Sequence, residues 1–173
     1  MVLYKLLHTS PDILCSEVMP MTAYERLLEE AKRRDLTVKE VDFHFVDGLI
    51  KGRRIGIRKS IETSAGKADV LAEEIAHWET TTGNILDQSK PENRKQERLA
   101  RSMAYDLRIG LDGIVRAWEY GCQNTYEAAE YLGTRQCFLE EAIDYYHQKY
   151  GICTEFEEYT IIFDPALMVI KDK

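Results

Sequence analysis

Residues 67–83 read Lys-Ala-Asp-Val-Leu-Ala-Glu-Glu-Ile-Ala-His-Trp-Glu-Thr-Thr-Thr-Gly. Wound as a helix at roughly 100° per residue, the segment places Leu71, Ile75 and Trp78 in one narrow stripe. Ala72 and Ala76 fill its flank, and Val70 falls toward the polar side. Such a helix is apolar round most of its circumference and is expected to be largely buried. The predicted span is 65–82, with Gly83 as the residue that stops it. Glu73 and His77 nevertheless stand one turn apart on a single face, and Glu74 lies beside them. Two carboxylates and an imidazole in an apolar setting are costly unless something neutralises them.

A metal ion would neutralise them. The i,i+4 spacing lets two side chains grip one ion while the intervening Glu reaches a water, which is the logic of His-Glu-x-x-His on a helix. Here the first position is Glu73, so the motif is Glu-Glu-Ile-Ala-His. A third ligand is expected from the next helix, predicted over 94–107 after a loop at 84–93. Glu97 lies 20 residues beyond His77. An antiparallel return would bring it beside the imidazole, and Ala100 and Ala104 would let the two helices approach closely. The plainer alternatives are a solvated acidic edge on the first helix and ion pairs from Glu97 to Arg94 or Arg101.

Upstream, Thr22 and Glu25 form a capping-box pattern for a helix over 23–34, whose apolar face is Tyr24, Leu27, Leu28 and Ala31. Val41, Phe43 and Phe45 alternate with Asp42, His44 and Val46 as a strand would. Residues 49–57 read as a hairpin turning near Gly52, so a small antiparallel sheet of about three strands is expected. Residues 51–60 hold five basic side chains and no acid. They suit either the blunting of an exposed edge strand or the docking of an acidic partner segment. Residues 1–21, with Pro11 and Pro20, read as a loosely ordered extension, so the functional fold is expected to begin near Met21. Residues 22–110 form the core, and residues 111–173 a helical subdomain. Its predicted helices are 111–120, 125–132 and 135–150, followed by a terminal strand at 158–163 that Pro165 stops.

The whole chain has 173 residues, 45% of them hydrophobic and 31% charged, with a formal net charge of −7. That composition is globular, long enough for a core without staples, and poorly suited to phosphate backbones. Residues 111–150 carry seven acids against three basic side chains, a net charge of −4, so insertion into a DNA groove would be repelled. Trp118, Tyr120, Tyr126, Tyr131, Tyr145 and Tyr146 are expected in the core. The longest apolar run, Ala166–Ile170, is far short of a membrane span. The N-terminus lacks a secretory pattern. Cys15, Cys122, Cys137 and Cys153 suit free thiols of a cytoplasmic protein, with Cys122 and Cys137 expected as buried apolar thiols.

Taken together, Tyr24–Ala31, Lys51–Ile57, Val70–Gln88, Arg94–Asp106 and Gly110–Gly133 resemble the ImmA/IrrE family of metallo-endopeptidases. The likeness is closest to the branch encoded by phages and integrative elements of Gram-positive bacteria. The resemblance implies an α+β fold in which the small sheet packs on a zincin-type active-site helix, with a helix-turn-helix-like C-terminal part. It implies a cytoplasmic zinc peptidase that cleaves or inactivates a helix-turn-helix (Xre-type) repressor of a mobile element or stress regulon. No direct nucleic-acid or membrane partner is expected. Carried over by position, Glu74 is the general base and His77 and Glu97 are zinc ligands. Glu73 stands where the family's full motif has His. The ion would polarise the scissile carbonyl and acidify a water, whose proton Glu74 would take. A ligand set of Glu73, His77 and Glu97 is harder and more anionic than a His-rich one, so Mn2+ would compete better with Zn2+. His44, Tyr105 and His147 are open candidates for stabilising the oxyanion. The alternative reading is a non-catalytic regulator that keeps the peptidase shape and binds a transcription factor without cutting it.

Overall fold

A computed structural model describes residues 21–80 and 91–172. Its elements are α1 (Ala23–Arg33), β1 (Thr37–Val41), β2 (Gly48–Lys51), β3 (Arg54–Arg58), α2 (Ser64–Thr80), α3 (Pro91–Arg108), α4 (Gly110–Tyr120), α5 (Thr125–Leu132), α6 (Gln136–Tyr150), β4 (Cys153–Phe156), β5 (Tyr159–Ile162) and β6 (Met168–Lys171). The fold class is α+β, as expected. The extension at 1–20 and the stop at Gly83 lie outside the described residues.

The capping box at the start of α1 forms as the sequence predicts. Thr22 Oγ1 accepts the Glu25 N–H at 3.2 Å, and the Glu25 carboxylate accepts the Thr22 N–H at 2.7 Å. Ala23, Leu27 and Ala31 then face the core. The hairpin β2–β3 also forms, but the first sheet is mixed rather than antiparallel. β3 lies at its centre, antiparallel to β2 and parallel to β1. The strand expected at 41–46 is in fact the crossover from β1 to β2, passing over the end of β3. Its ends are fixed where Arg58 N–H donates to Asp47 O (2.7 Å) and Lys59 N–H to Val41 O (2.9 Å). Phe45 is 96% exposed, whereas Phe43 covers β3 at Gly56, where an added Cβ would stand 2.6 Å from the ring. The alternation that imitates a strand therefore belongs to one aromatic that packs and one that does not. Because β3 is central, Arg54 and Arg58 do not line a free edge; of the hairpin, only β2 does.

α2 is buried along Ala68, Val70, Leu71, Ala72, Ile75 and Ala76. Val70, expected toward the polar side, is buried because β2 lies across it. α3 spans Pro91–Arg108 among the described residues, so it reaches further back than the expected residue 94. It runs antiparallel to α2: Glu97 near its start meets His77, and Arg108 at its end meets Asp69.

The single terminal strand expected at 158–163 is the middle of an antiparallel meander, β4-β5-β6. Tyr159 and Ile161 of β5 are buried, while Met168 and Ile170 of β6 face outward beside the buried Val169. Buried side chains from α1 through β6 form one contiguous cluster, including Leu27, Ile57, Leu71, Phe138, Tyr146 and Ile161. Of the C-terminal aromatics, Tyr146 is fully buried, but Tyr120 and Tyr126 are 74% and 61% exposed and Trp118 and Tyr131 also reach the surface. Cys137 is exposed and Cys122 only half-buried, against the expectation of two buried thiols. Short helices of 8 and 11 residues cover the core with one face only, so the aromatics on their other faces stay exposed at the surface. Among the described residues no helix is long and apolar enough to cross a membrane.

Candidate functional site

The antiparallel return of α3 brings His77 Nε2 to 3.7 Å from Glu97 Oε2. Two donors each about 2.1 Å from a tetrahedral ion stand roughly 3.4 Å apart, so this spacing suits a shared cation. The other ring nitrogen, His77 Nδ1, is buried and has no hydrogen-bond partner among the described residues. Glu97 also accepts from Arg101 Nε at 3.4 Å. The ligand reading and the ion-pair reading thus meet in one carboxylate.

Glu73 and Glu74 line a cavity of about 390 Å³ with Gly48, Arg101, Arg135 and Glu141. Burial pushes the Glu74 carboxyl up to about 7; the charges of Glu73 and Glu97 add to that, and the backbone of Ile50 opposes it. β2 passes directly over this carboxyl. A Cβ on Gly48 would stand 2.5 Å from Glu74 Oε1 and 2.7 Å from Val70 Cγ1, so only glycine lets the strand come so near. Burial also raises Glu73, against the pull of Arg101 and then Arg135. Glu73 therefore sits in the field of two guanidiniums. Among the described residues, no three His, Cys, Asp or Glu side chains gather into a metal-holding group. The structure brings His77 and Glu97 together and sets Glu74 beside them, while Glu73 lies with the arginines. The imidazole–carboxylate pair fits a divalent cation, and Glu73 is one helical turn away from completing the set.

Of the oxyanion candidates, Tyr105 does not line the cavity itself but donates its hydroxyl to Glu141, which does, at 3.1 Å, and burial pushes its pKa up to about 12. His44 and His147 do not line that cavity either.

Sequence reasoning missed Asp69. Its carboxylate is fully buried and holds four groups. Oδ1 accepts from Arg108 Nε (3.1 Å) and Thr134 Oγ1 (2.7 Å), and Oδ2 accepts from the Arg135 backbone N–H (3.0 Å) and Nε (2.9 Å). The network welds α2 to the end of α3 and to the α5–α6 turn, and it fixes the guanidinium of Arg135 near Glu73. An aspartate inside an apolar helical run is the one available signal, because a buried charge must have partners. Those partners lie 39 to 66 residues further along the chain. No family model matches the chain, and neither the curated proteins nor the solved structures give a match.

Proposed function

We propose that the chain is a cytosolic zinc-dependent metallo-endopeptidase of the ImmA/IrrE kind that cleaves or inactivates a helix-turn-helix (Xre-type) repressor. The observation that carries this reading is the 3.7 Å approach of His77 Nε2 to Glu97 Oε2 across α2 and α3. His77 and Glu97 would hold the ion, with Glu73 turning to supply a third donor. When bound, Zn2+, or Mn2+ in so acidic a donor set, supplies Lewis-acid polarisation of the scissile carbonyl and acidifies the attacking water. Glu74, with its carboxyl near neutrality, takes the water's proton and returns it to the leaving amine. β2 offers a free edge over Glu74, on which an extended substrate segment can add as a strand through main-chain hydrogen bonds. Tyr105, whose raised pKa keeps it protonated at neutral pH, is a neutral donor that would serve the developing oxyanion. α5 and α6, which resemble a helix-turn-helix, serve to dock the repressor, their acidity matching a basic DNA-binding partner.

The test is co-expression with a candidate helix-turn-helix (Xre-type) repressor. Wild type should cut the repressor, and Glu74→Gln should keep the metal and the fold yet leave it whole. Cleavage that survives Glu74→Gln removes the proposed base. A second reading, a non-catalytic regulator, draws support from Glu73 lying under Arg101 and Arg135 instead of with His77 and Glu97. Stable co-purification with an intact repressor, metal bound or not, would favour it.

A further inference from the structure

We propose that the groove between α1, α3, α4 and α5 is a binding site for a phosphate-bearing small molecule of the nucleotide class. This inference is independent of the peptidase reading. The groove encloses about 560 Å³ and is lined by four arginines, Arg26, Arg33, Arg108 and Arg116, against one acid, Glu30. In a chain of net charge −7 that is a marked local reversal.

The arginines are only partly neutralised by their neighbours. Arg26 donates Nη1 to the Met21 carbonyl at 2.7 Å and meets no carboxylate among the described residues. Glu30 pairs with Arg33 and with Arg34, which also meets Glu79. Asp69 is shared between Arg108 and Arg135. Only Arg116 has a carboxylate, Asp112, to itself, at 3.2 Å on the surface. Burial lowers the pKa of Arg108, against the pull of Asp69, and the charge of Arg26 nearby lowers it further. An anion between them would turn that repulsion into attraction.

The site is also built in advance. Arg108 is 8% exposed, and its fork is fixed by Asp69 on Nε and by the Gly133 carbonyl on Nη2 at 2.7 Å. A guanidinium held in that way is the side chain best matched to a phosphate. Leu27, Leu107 and Leu132 give the groove an apolar floor. Tyr131 forms one wall, held in place by stacking on Tyr120 with centroids 4.5 Å apart. The groove is far larger than inorganic phosphate needs. A leucine floor and an aromatic wall beside clustered arginines suit a planar base carrying phosphate.

Isothermal titration of the full chain with ATP, AMP and inorganic phosphate, in EDTA so that no ion at His77 contributes, tests the assignment. ATP and AMP should bind saturably and more tightly than phosphate. Arg26→Ala and Arg116→Ala, both on surface side chains, should each weaken ATP by roughly tenfold without changing the melting temperature of the free protein. Tyr131→Leu should weaken AMP and leave phosphate as it was. The proposal is overturned if no nucleotide binds at millimolar concentration. Unaltered ATP affinity in the two arginine variants would also overturn it, as would phosphate binding as tightly as AMP. So would an oligonucleotide displacing ATP and binding far more tightly, since the groove would then serve a nucleic acid.

Discussion

Glu74 is a carboxyl whose proton is held by burial, and that has a consequence separate from catalysis. Its folded pKa of about 7 lies above the ordinary 4.5, so between those values the folded protein binds a proton that the unfolded chain has lost. The stabilisation is complete below the unfolded value and disappears as pH rises through the folded one, at about 1.4 kcal/mol for each unit of difference. Metal-free wild type should therefore lose stability from about pH 5 to about pH 8, and Glu74→Gln should lose less. Urea denaturation at the two pH values measures this, and identical losses in both proteins would place the Glu74 carboxylate in water. Glu73 makes a sharper demand. If it joins His77 and Glu97 on the ion, Glu73→His should tighten Zn2+ binding by roughly tenfold, a neutral imidazole being the softer donor, as read by competition with a chromophoric chelator. Unchanged affinity would leave the ion to His77 and Glu97. The helical period made Glu73, Glu74 and His77 legible as neighbours, and an antiparallel return made Glu97 legible beside His77. The field that Arg101 and Arg135 impose on Glu73 was not legible, because Arg135 is delivered by tertiary folding from a distant turn.

Among the elements, α2 is the one that others are built on, and two of its contacts decide whether the candidate site keeps its shape. Asp69 holds the end of α3 and the α5–α6 turn through one carboxylate. Asp69→Asn leaves Arg108 buried without its counter-charge, and breaking a buried pair in that way costs about 3–5 kcal/mol. Urea midpoints would show it, and a loss below about 1 kcal/mol would mean that the pair is solvated in the manner of a surface ion pair. On the other side, β2 rests on α2 at Gly48. Gly48→Ala sets a methyl group against Glu74 and Val70, so the strand must lift, at about 1–3 kcal/mol for the overpacking. A wild-type melting temperature would show that β2 has room to give. Which elements the sequence disclosed follows from how locally each is determined. α1 announced itself through a capping box four residues long, and β2–β3 through a turn at Gly52. β1 was masked because its burial pattern is almost wholly exposed, while the crossover behind it carries the aromatic alternation. β4 and β6 were missed for the same reason: each presents one buried or half-buried side to β5 or the core and carries no alternation long enough to read.

At the scale of the whole molecule, the parallel pairing of β1 with β3 and the continuity of the core were beyond the sequence, since both depend on contacts between residues far apart in the chain. The sequence suggests a core at 22–110 followed by a helical part at 111–173. The buried side chains nevertheless run without a break from Leu27 and Leu71 to Phe138 and Ile161, and Asp69 ties the two halves by charge as well. A protein with one uninterrupted core unfolds as one unit, whereas two cores joined by a thin contact unfold separately. The two tryptophans make the distinction measurable. Trp78 lies on α2 beneath the Arg53 guanidinium, 5.8 Å from its ring, and Trp118 lies on α4 edge-on to Tyr159 of the second sheet, with centroids 6.0 Å apart. Trp78→Phe and Trp118→Phe each leave a single reporter, one in either half, and both side chains are partly exposed, so neither change should cost more than about 1 kcal/mol. Urea curves followed by fluorescence of each variant should coincide with its own curve followed by far-ultraviolet circular dichroism. If the Trp118 signal moves at a lower urea concentration than the helical signal, the C-terminal part opens alone. Asp69→Asn should then leave the Trp78 midpoint where it was, and the continuous core would be divided in energy if not in space.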